Sequence, residues 1–357
     1  MLPLKFLYDN RQLATCISEL WDRDPEKREW FEHFRISSNA IYPMAVFREN
    51  DGPSVRAMLR FAPSSEKGMK RLIAELDLMT YLHSKDYTVA SHIPSKTGDI
   101  AHEIETPWGV YVANVFEGLP GVTVEEVALD IAMAHRLGVL LGKFHRLSTN
   151  YKQAHAHKLD LPHRAIEGVP FLSVFDYCDS FIENPRNLIG LPEDFFAIAA
   201  KVKAHMHMLK ARTSHERWGL IHYDFELDNL LYCRERDILS VVDFDDAMYA
   251  WYDMDLVRLL DNIDENLSET RESSDIEALQ NAVLEGYETL WPSATDGISD
   301  AQLYRDFMDL NWIYRVQISL QEVNENLEPE WMHNLRQRLT NRSKVRLDQL
   351  IGRYVNL

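Results

Sequence analysis

One polar run in the second half of the chain constrains the fold more than anything else. Leu220-Ile221-His222-Tyr223-Asp224-Phe225-Glu226-Leu227-Asp228-Asn229-Leu230-Leu231 places a loop rich in carboxylates between two apolar stretches. Val241-Val242-Asp243-Phe244-Asp245-Asp246 then brings a further carboxylate to the end of an apolar strand. Isolated charges are very costly to bury, so Asp224 must be paired or hydrogen-bonded where it sits.

Each residue of this run has two readings. Asp224 serves either as a base facing a hydroxyl or as the cap of a turn. Asn229 offers its amide oxygen to a hard cation or caps a turn. Asp243 is either a metal carboxylate or a solvated strand terminus. His222 is read as a brace for the backbone, because a hydrogen-bonded core histidine is the commoner case. Asp245 and Asp246 support a metal or a substrate, or simply form an acidic turn. Taken together, the order and spacing in one hairpin favour the chemical reading. Phosphoryl transfer from a nucleotide needs this set, with one carboxylate for the acceptor hydroxyl and an amide oxygen and a carboxylate for magnesium.

Upstream, Leu13, Ile17, Leu20 and Trp21 fall at helix spacing, and Trp30, Phe31 and Phe34 continue the apolar content across Pro25, so two short helices are expected over 11–35. Strands follow at Ala45-Val46-Phe47 and Ser54–Phe61, joined by the turn signal Asn50-Asp51-Gly52. A helix is expected over Lys67–Leu82, then strands at Ile100–Ile104 and Trp108–Phe116. Gly118-Leu119-Pro120-Gly121 reads as a linker, and the remainder as mostly helical. The expected domains are a helical extension at 1–35, a small mixed lobe at 36–117 and a large helical lobe at 118–357.

Bulk properties narrow the class. The formal charge of −18 gives no basic footprint for nucleic acid or anionic membranes, and mildly suits a cationic small molecule. Three scattered cysteines, Cys16, Cys178 and Cys233, indicate neither a disulfide framework nor a zinc site and fit a reducing cytoplasm. Asp9 comes too soon after Met1 for a signal-peptide core, and no apolar run approaches a membrane span. The sequence carries no signal of oligomeric state.

His222-x-Asp224-x(4)-Asn229, the Val242-Asp243-Phe244-Asp245-Asp246-Ala247 tract and the helix start Tyr252-Asp253-Met254-Asp255-Leu256 together resemble the aminoglycoside phosphotransferase and choline kinase superfamily. Among its members, the bacterial homoserine-kinase type is the most similar in motif. The resemblance runs from about residue 36 into the 260s, and only 220–256 is specific. It implies an α+β, bilobal protein-kinase-like fold, with an antiparallel sheet in a small N-lobe and a mostly helical C-lobe. It implies Asp224 as catalytic base, Asn229 and Asp243 as magnesium ligands, and Asp255 as a support for the loop. Arg60 stands where the family has a phosphate-binding Lys, with Glu75 as its ion-pair partner. Val115, Phe116 and Glu117 would meet the adenine at the hinge, and His145 is structural.

Two departures stand out. Arg for Lys is not a neutral exchange, and Arg56 on the same strand face is an alternative. The nucleotide loop, expected at Ser37–Pro43, lacks glycine. The leading expectation is an ATP-dependent (or GTP-dependent) kinase of a hydroxylated small molecule such as an amino alcohol, a hydroxy amino acid or an aminoglycoside. A protein substrate stays open. A non-catalytic nucleotide-binding pseudokinase is the second reading. A metallohydrolase using His222, Asp224 and Asp243 is the third, with the pairs His155/His157 and His205/His207 as weak support because positions two apart on a helix do not face one site. Tyr177, Asp179, Asp261, Trp312 and Tyr314 are candidates for acceptor contacts.

Overall fold

A computed structural model describes residues 10–27, 35–36, 39–47, 52–65, 67–155, 171–176, 194–212, 217–291, 301–319 and 330–354. The chain divides into two compact units, Met1–Pro120 with Val323–His333, and Gly121–Glu322 with Asn334–Leu357.

The first unit is built on an antiparallel sheet. Helix α1 spans Asn10–Ser18 and is followed by β1 (Arg35–Ile36), β2 (Ala40–Phe47), β3 (Ser54–Pro63), helix α2 (Met69–His83), β4 (His102–Thr106) and β5 (Gly109–Glu117). Strand order is β1-β2-β3-β5-β4, with every pairing antiparallel. The period-2 alternation of a strand sorts the side chains onto two faces. Tyr42, Met44, Leu59, Phe61, Tyr111, Ala113 and Val115 form one core with Leu13, Ile17 and Trp21 of the N-terminal segment. That segment therefore packs on the sheet, and the Trp21 indole N–H donates to the Ile93 carbonyl at 2.8 Å. On the other face Val112 packs with Leu72 and Leu76 of α2, and the same face carries Arg60 and Asn114, directly paired across β3 and β5.

Two expectations change here. Ala40–Pro43 lie in β2, paired with Met58–Phe61, so they are not part of a nucleotide loop. The strand begins upstream of the predicted start at Ala45 because Ala40, Tyr42 and Met44 bury one face while the backbone pairs with β3. Ser37, Ser38, Trp30, Phe31, Phe34, Asn50 and Asp51 lie outside the described residues.

The second unit is mostly helical with short strand pairs. Its elements are β6 (Val122–Thr123), α3 (Ile131–His155), α4 (Asp194–Arg212), β7 (Trp218–Ile221), β8 (Leu230–Cys233), β9 (Ile238–Val241), β10 (Met248–Trp251), α5 (Tyr252–Leu267), α6 (Ser273–Glu288), α7 (Ala301–Ser319) and α8 (Glu330–Tyr354). β7 pairs with β10, and β6, β8 and β9 form a second small sheet. Helices α3 and α6 approach closely because each has glycine at the crossing. A Cβ on Gly138 would lie 1.9 Å from the Val283 carbonyl, and one on Gly286 would lie 2.0 Å from that of His135. A core of Phe195, Trp251, Met254, Val257, Phe307 and Leu310 ties α4, α5 and α7 to the β7–β10 ribbon. No helix among the described residues is long and apolar enough to cross a membrane.

Candidate active site

The polar run forms a loop suspended between two strand pairs. Strand β7 enters it, with Ile221 paired to Met248 of β10, and β8 leaves it, with Leu230 paired to Val241 of β9. Both flanks are buried, which fixes the loop's ends. The Val242 N–H donates to the Asn229 carbonyl at 3.0 Å, so the two motif segments lie side by side.

Asp255 holds the loop from below. It sits in the first turn of α5, is fully buried, and accepts the backbone N–H groups of His222 at 2.8 Å and Tyr223 at 2.7 Å. Tyr223 has φ +70°, a left-handed conformation that a bulky side chain rarely adopts, and the Asp255 bond helps to hold it there. The same carboxylate bonds His145 Nε2 at 3.0 Å, and His145 Nδ1 meets the Tyr287 hydroxyl at 2.7 Å. Burial lowers the pKa of His145 and raises that of Tyr287. A neutral imidazole can then donate through Nε2 to Asp255 and accept from Tyr287.

His222 gives Nε2 to the Val242 carbonyl at 3.1 Å, one residue before Asp243. That bond ties the first motif segment to the second. Asp224 and Asp243 are each partly buried, whereas Asn229 is 8% exposed. The Asn229 amide N–H groups donate to the Asp224 carbonyl and to Asp224 Oδ2, both at 2.9 Å. This orients Asp224 and directs the Asn229 carbonyl oxygen away from it. Asp243 adopts φ +64° at the junction of β9 and a short 3-10 turn over Phe244–Asp246. An amide oxygen and a carboxylate on adjacent, braced backbones suit a hard divalent cation, which takes oxygen ligands and completes its shell with waters and phosphate.

Sequence reasoning missed the carboxylate that anchors the middle of the loop. Glu226 is 8% exposed and receives Arg258 Nε at 2.7 Å and Asn262 Nδ2 at 3.2 Å. Asn262 Oδ1 in turn accepts the Leu227 N–H at 2.9 Å. Arg258 also reaches Asp261 at 3.1 Å, and Arg346 of α8 reaches Asp261 at 3.3 Å and pairs with Glu265. Asp261 is therefore bound to two arginines. The spacing Arg258, Asp261, Asn262, Glu265 on one helix was the available signal.

In the first unit, Arg60 and Glu75 are paired at 2.6 Å, both buried. Arg56 is exposed, with its stem against Gly118. At the end of β5 the Val115 carbonyl accepts Ile93 N–H at 2.9 Å and the Glu117 N–H donates to Ser91 at 2.8 Å. Two of the peptide groups expected to meet adenine are thus already bonded within the unit, because the chain at Ser91–Ile93 runs alongside β5.

A three-ligand metal site at His222, Asp224 and Asp243 is not assembled. Among the described residues no three His, Cys, Asp or Glu side chains are grouped to hold a metal ion, and His222 turns to a carbonyl. His205 bonds Asp306 at 2.7 Å while His207 stacks on Phe175, so this pair faces two partners. His157, Tyr177 and Asp179 and the side chains of His155 and Tyr314 lie outside the described residues.

The model of the phosphotransferase enzyme family matches residues 35–295. The amicoumacin kinase of Bacillus subtilis (strain 168) is 22% identical over 208 residues, which are 58% of this chain and 56% of that protein. The chain thus spans little more than half the length of the curated relatives it matches. An amicoumacin kinase solved in complex with AMP-PNP, Ca²⁺ and Ami superimposes with a TM-score of 0.70 at 17% identity, covering 96% of this chain and 94% of that one. A microcompartment-associated aminopropanol kinase gives 0.66 at 19%, with 98% of both chains covered. This likeness shows the fold, which is that of the protein-kinase-like phosphotransferases.

Proposed function

Since the chain belongs to the phosphotransferase enzyme family, we propose that it is a small-molecule kinase that transfers the γ-phosphate of ATP to an alcohol group. The observation that carries this is the Asp224–Asn229 loop, in which a partly exposed carboxylate is oriented by an amide and its backbone is pinned by Asp255. A rigid, preorganised carboxylate is what a reaction driven by positioning requires.

In this reading Asp224 orients the acceptor hydroxyl and takes its proton. The hydroxyl oxygen forms a bond to the γ-phosphorus, the bond to the β–γ bridging oxygen breaks, and ADP leaves. Asn229 and Asp243 would hold Mg²⁺, which when bound neutralises phosphate charge. His222 and Asp255 support the loop. Arg60 and Glu75 belong to the nucleotide-binding region, 36–117. The end of β5 at Val115, Phe116 and Glu117 meets the base through groups other than the Val115 carbonyl and the Glu117 N–H. Residues 118–357 carry the catalytic loop and the acceptor site.

The acceptor is an amine-bearing alcohol: an amino alcohol, a hydroxy amino acid or an aminoglycoside-like antibiotic. Relatives named for amicoumacin and aminopropanol support this choice, as does the net charge of −18. ATP is preferred to GTP, and the cytoplasm is the compartment implied.

The test is thermal melting with MgATP, MgGTP and a panel of such acceptors, followed by ADP release and ³¹P NMR of the product. A ligand that binds only the native state raises the melting temperature. A shift with MgATP, and an O-phosphate ester formed on one acceptor class, is the expected result. Nucleotide binding without turnover on any acceptor would make the protein a non-catalytic nucleotide sensor. No nucleotide shift at millimolar concentration would sink the reading.

A further inference from the structure

Lys67 belongs to none of the motifs, yet it is 6% exposed, with Nζ 2.8 Å from Glu75 Oε2. The other oxygen of that carboxylate holds Arg60 Nη1 at 2.6 Å. Glu75, itself 1% exposed, therefore carries two buried cations, one on each oxygen.

The two cations are held differently. Arg60 projects from β3 and is fixed on three sides. Its Nε donates to Asn114 Oδ1 at 3.1 Å, its Nη1 to Glu75, and its guanidinium lies over the Phe116 ring at 4.8 Å. A planar fork engaged in this way cannot swing without breaking several contacts at once. Lys67 comes from the bend between β3 and α2, just before the N-cap Gly68, and its N–H bonds the Pro63 carbonyl at 3.1 Å. Its ammonium has three rotatable donors on a flexible stem, so it can turn one N–H to an incoming oxygen while another stays on Glu75. His92, close enough to feel both Glu75 and Arg60, has its pKa lowered by burial and adds no charge near neutral pH. Two desolvated cations gathered on one carboxylate make a place that an oxyanion completes, through charge-assisted hydrogen bonds.

We infer that Lys67 is the nucleotide-binding residue that contacts a phosphate oxygen, and that Arg60 is a positioning residue that holds Glu75 for it. The inference rests on the kinase reading and assigns the phosphate contact to a residue seven positions beyond the one the family resemblance implies.

The experiment titrates the full chain with MgATP and, separately, with adenosine, which has the base and sugar but no phosphate. Lys67→Gln should weaken MgATP binding by about tenfold or more, the scale of one charged hydrogen bond. Its adenosine affinity should stay near that of the parent, and its ligand-free melting temperature should fall less than that of Arg60→Gln, because Glu75 keeps Arg60 as a partner. Lys67→Arg should recover most of the lost affinity, while Arg60→Gln should lower the ligand-free melting temperature. Should Lys67→Gln lose its cooperative transition, Lys67→Met in a Glu75→Gln background is compared with Glu75→Gln alone, and should bind MgATP more weakly. Unchanged MgATP affinity in Lys67→Gln, or an equal loss for adenosine, overturns the Lys67 assignment alone. A parent chain that binds no MgATP overturns the kinase reading, and this inference with it.

Discussion

The loop at Tyr223–Asn229 and the cluster around Glu75 are both buried polar sites, but they are assembled in opposite ways. The loop's chemistry comes from a short stretch of chain, and its geometry is set mainly by backbone N–H groups donating to Asp255 and by strand pairs at both ends. The cluster gathers β3, a bend, α2 and β5, and its charged groups are tied to one another through side chains. Backbone-anchored sites tolerate loss of a reactive side chain without loss of fold. Sites made of interlocked side chains do not separate the two so cleanly, because removing one partner strands another in a buried place.

The sharpest break of that comparison is at the loop. Asp224→Ala should cut kcat/KM by roughly a thousandfold, about 4 kcal/mol, with the melting temperature nearly unchanged. Full activity in this variant would remove Asp224 from the chemistry. Asp243→Ala should lose turnover to a similar degree. It should also weaken the Mg²⁺ dependence of nucleotide binding more than Asp224→Ala does, which magnesium titrations of both variants would decide.

Asp255→Asn tests the backbone anchor itself. An amide has one acceptor oxygen where the carboxylate has two, so one of the two loop N–H groups faces a donor. A stability loss of about 2–4 kcal/mol by denaturant unfolding is expected, together with slower turnover. A variant as stable as the parent would mean that the strand pairs alone hold the loop. In the cluster, Arg60→Ala should couple both effects, with a loss of about 3 kcal/mol and a higher KM for ATP. If Arg56→Ala raises that KM instead, Arg56 and not Arg60 serves the nucleotide.

The smallest effect concerns pH. Burial places the folded pKa of His145 below its ordinary value of 6.5. The neutral form is thus favoured by folding. Its contribution is fully present above about 6.5 and declines as pH falls toward the folded pKa, because the unfolded chain binds the proton first. The melting temperature of the parent should fall more between about pH 7.5 and 5.5 than that of His145→Gln. Equal falls would assign the pH dependence to other groups, His92 among them, which shifts in the same direction.

The loop was legible in the sequence because its residues are close along the chain and their apolar flanks announce buried strands. The helix start at Tyr252–Asp255 was legible for the same reason. The anchoring of Glu226 by Arg258 and Asn262 was not, since a glutamate inside a polar loop reads as solvated until a helix brings an arginine against it. The strand at Ala40–Pro43 was read as a loop, because its partner Met58–Phe61 supplies the reason for it to be extended.

By itself, then, the sequence determined the order of elements, the residues of the Tyr223–Asn229 loop and the family that the chain resembles, all carried by local pattern and spacing. Only the tertiary structure decided that Asp255 is the loop's anchor in detail, that Asp261 is bound to two arginines, and that Lys67 shares Glu75 with Arg60. These depend on which faces of β3, β5 and α2 meet within the first unit, and of α5 and α8 within the second. Side-chain direction across packed elements follows from the whole fold, and no window of sequence contains it.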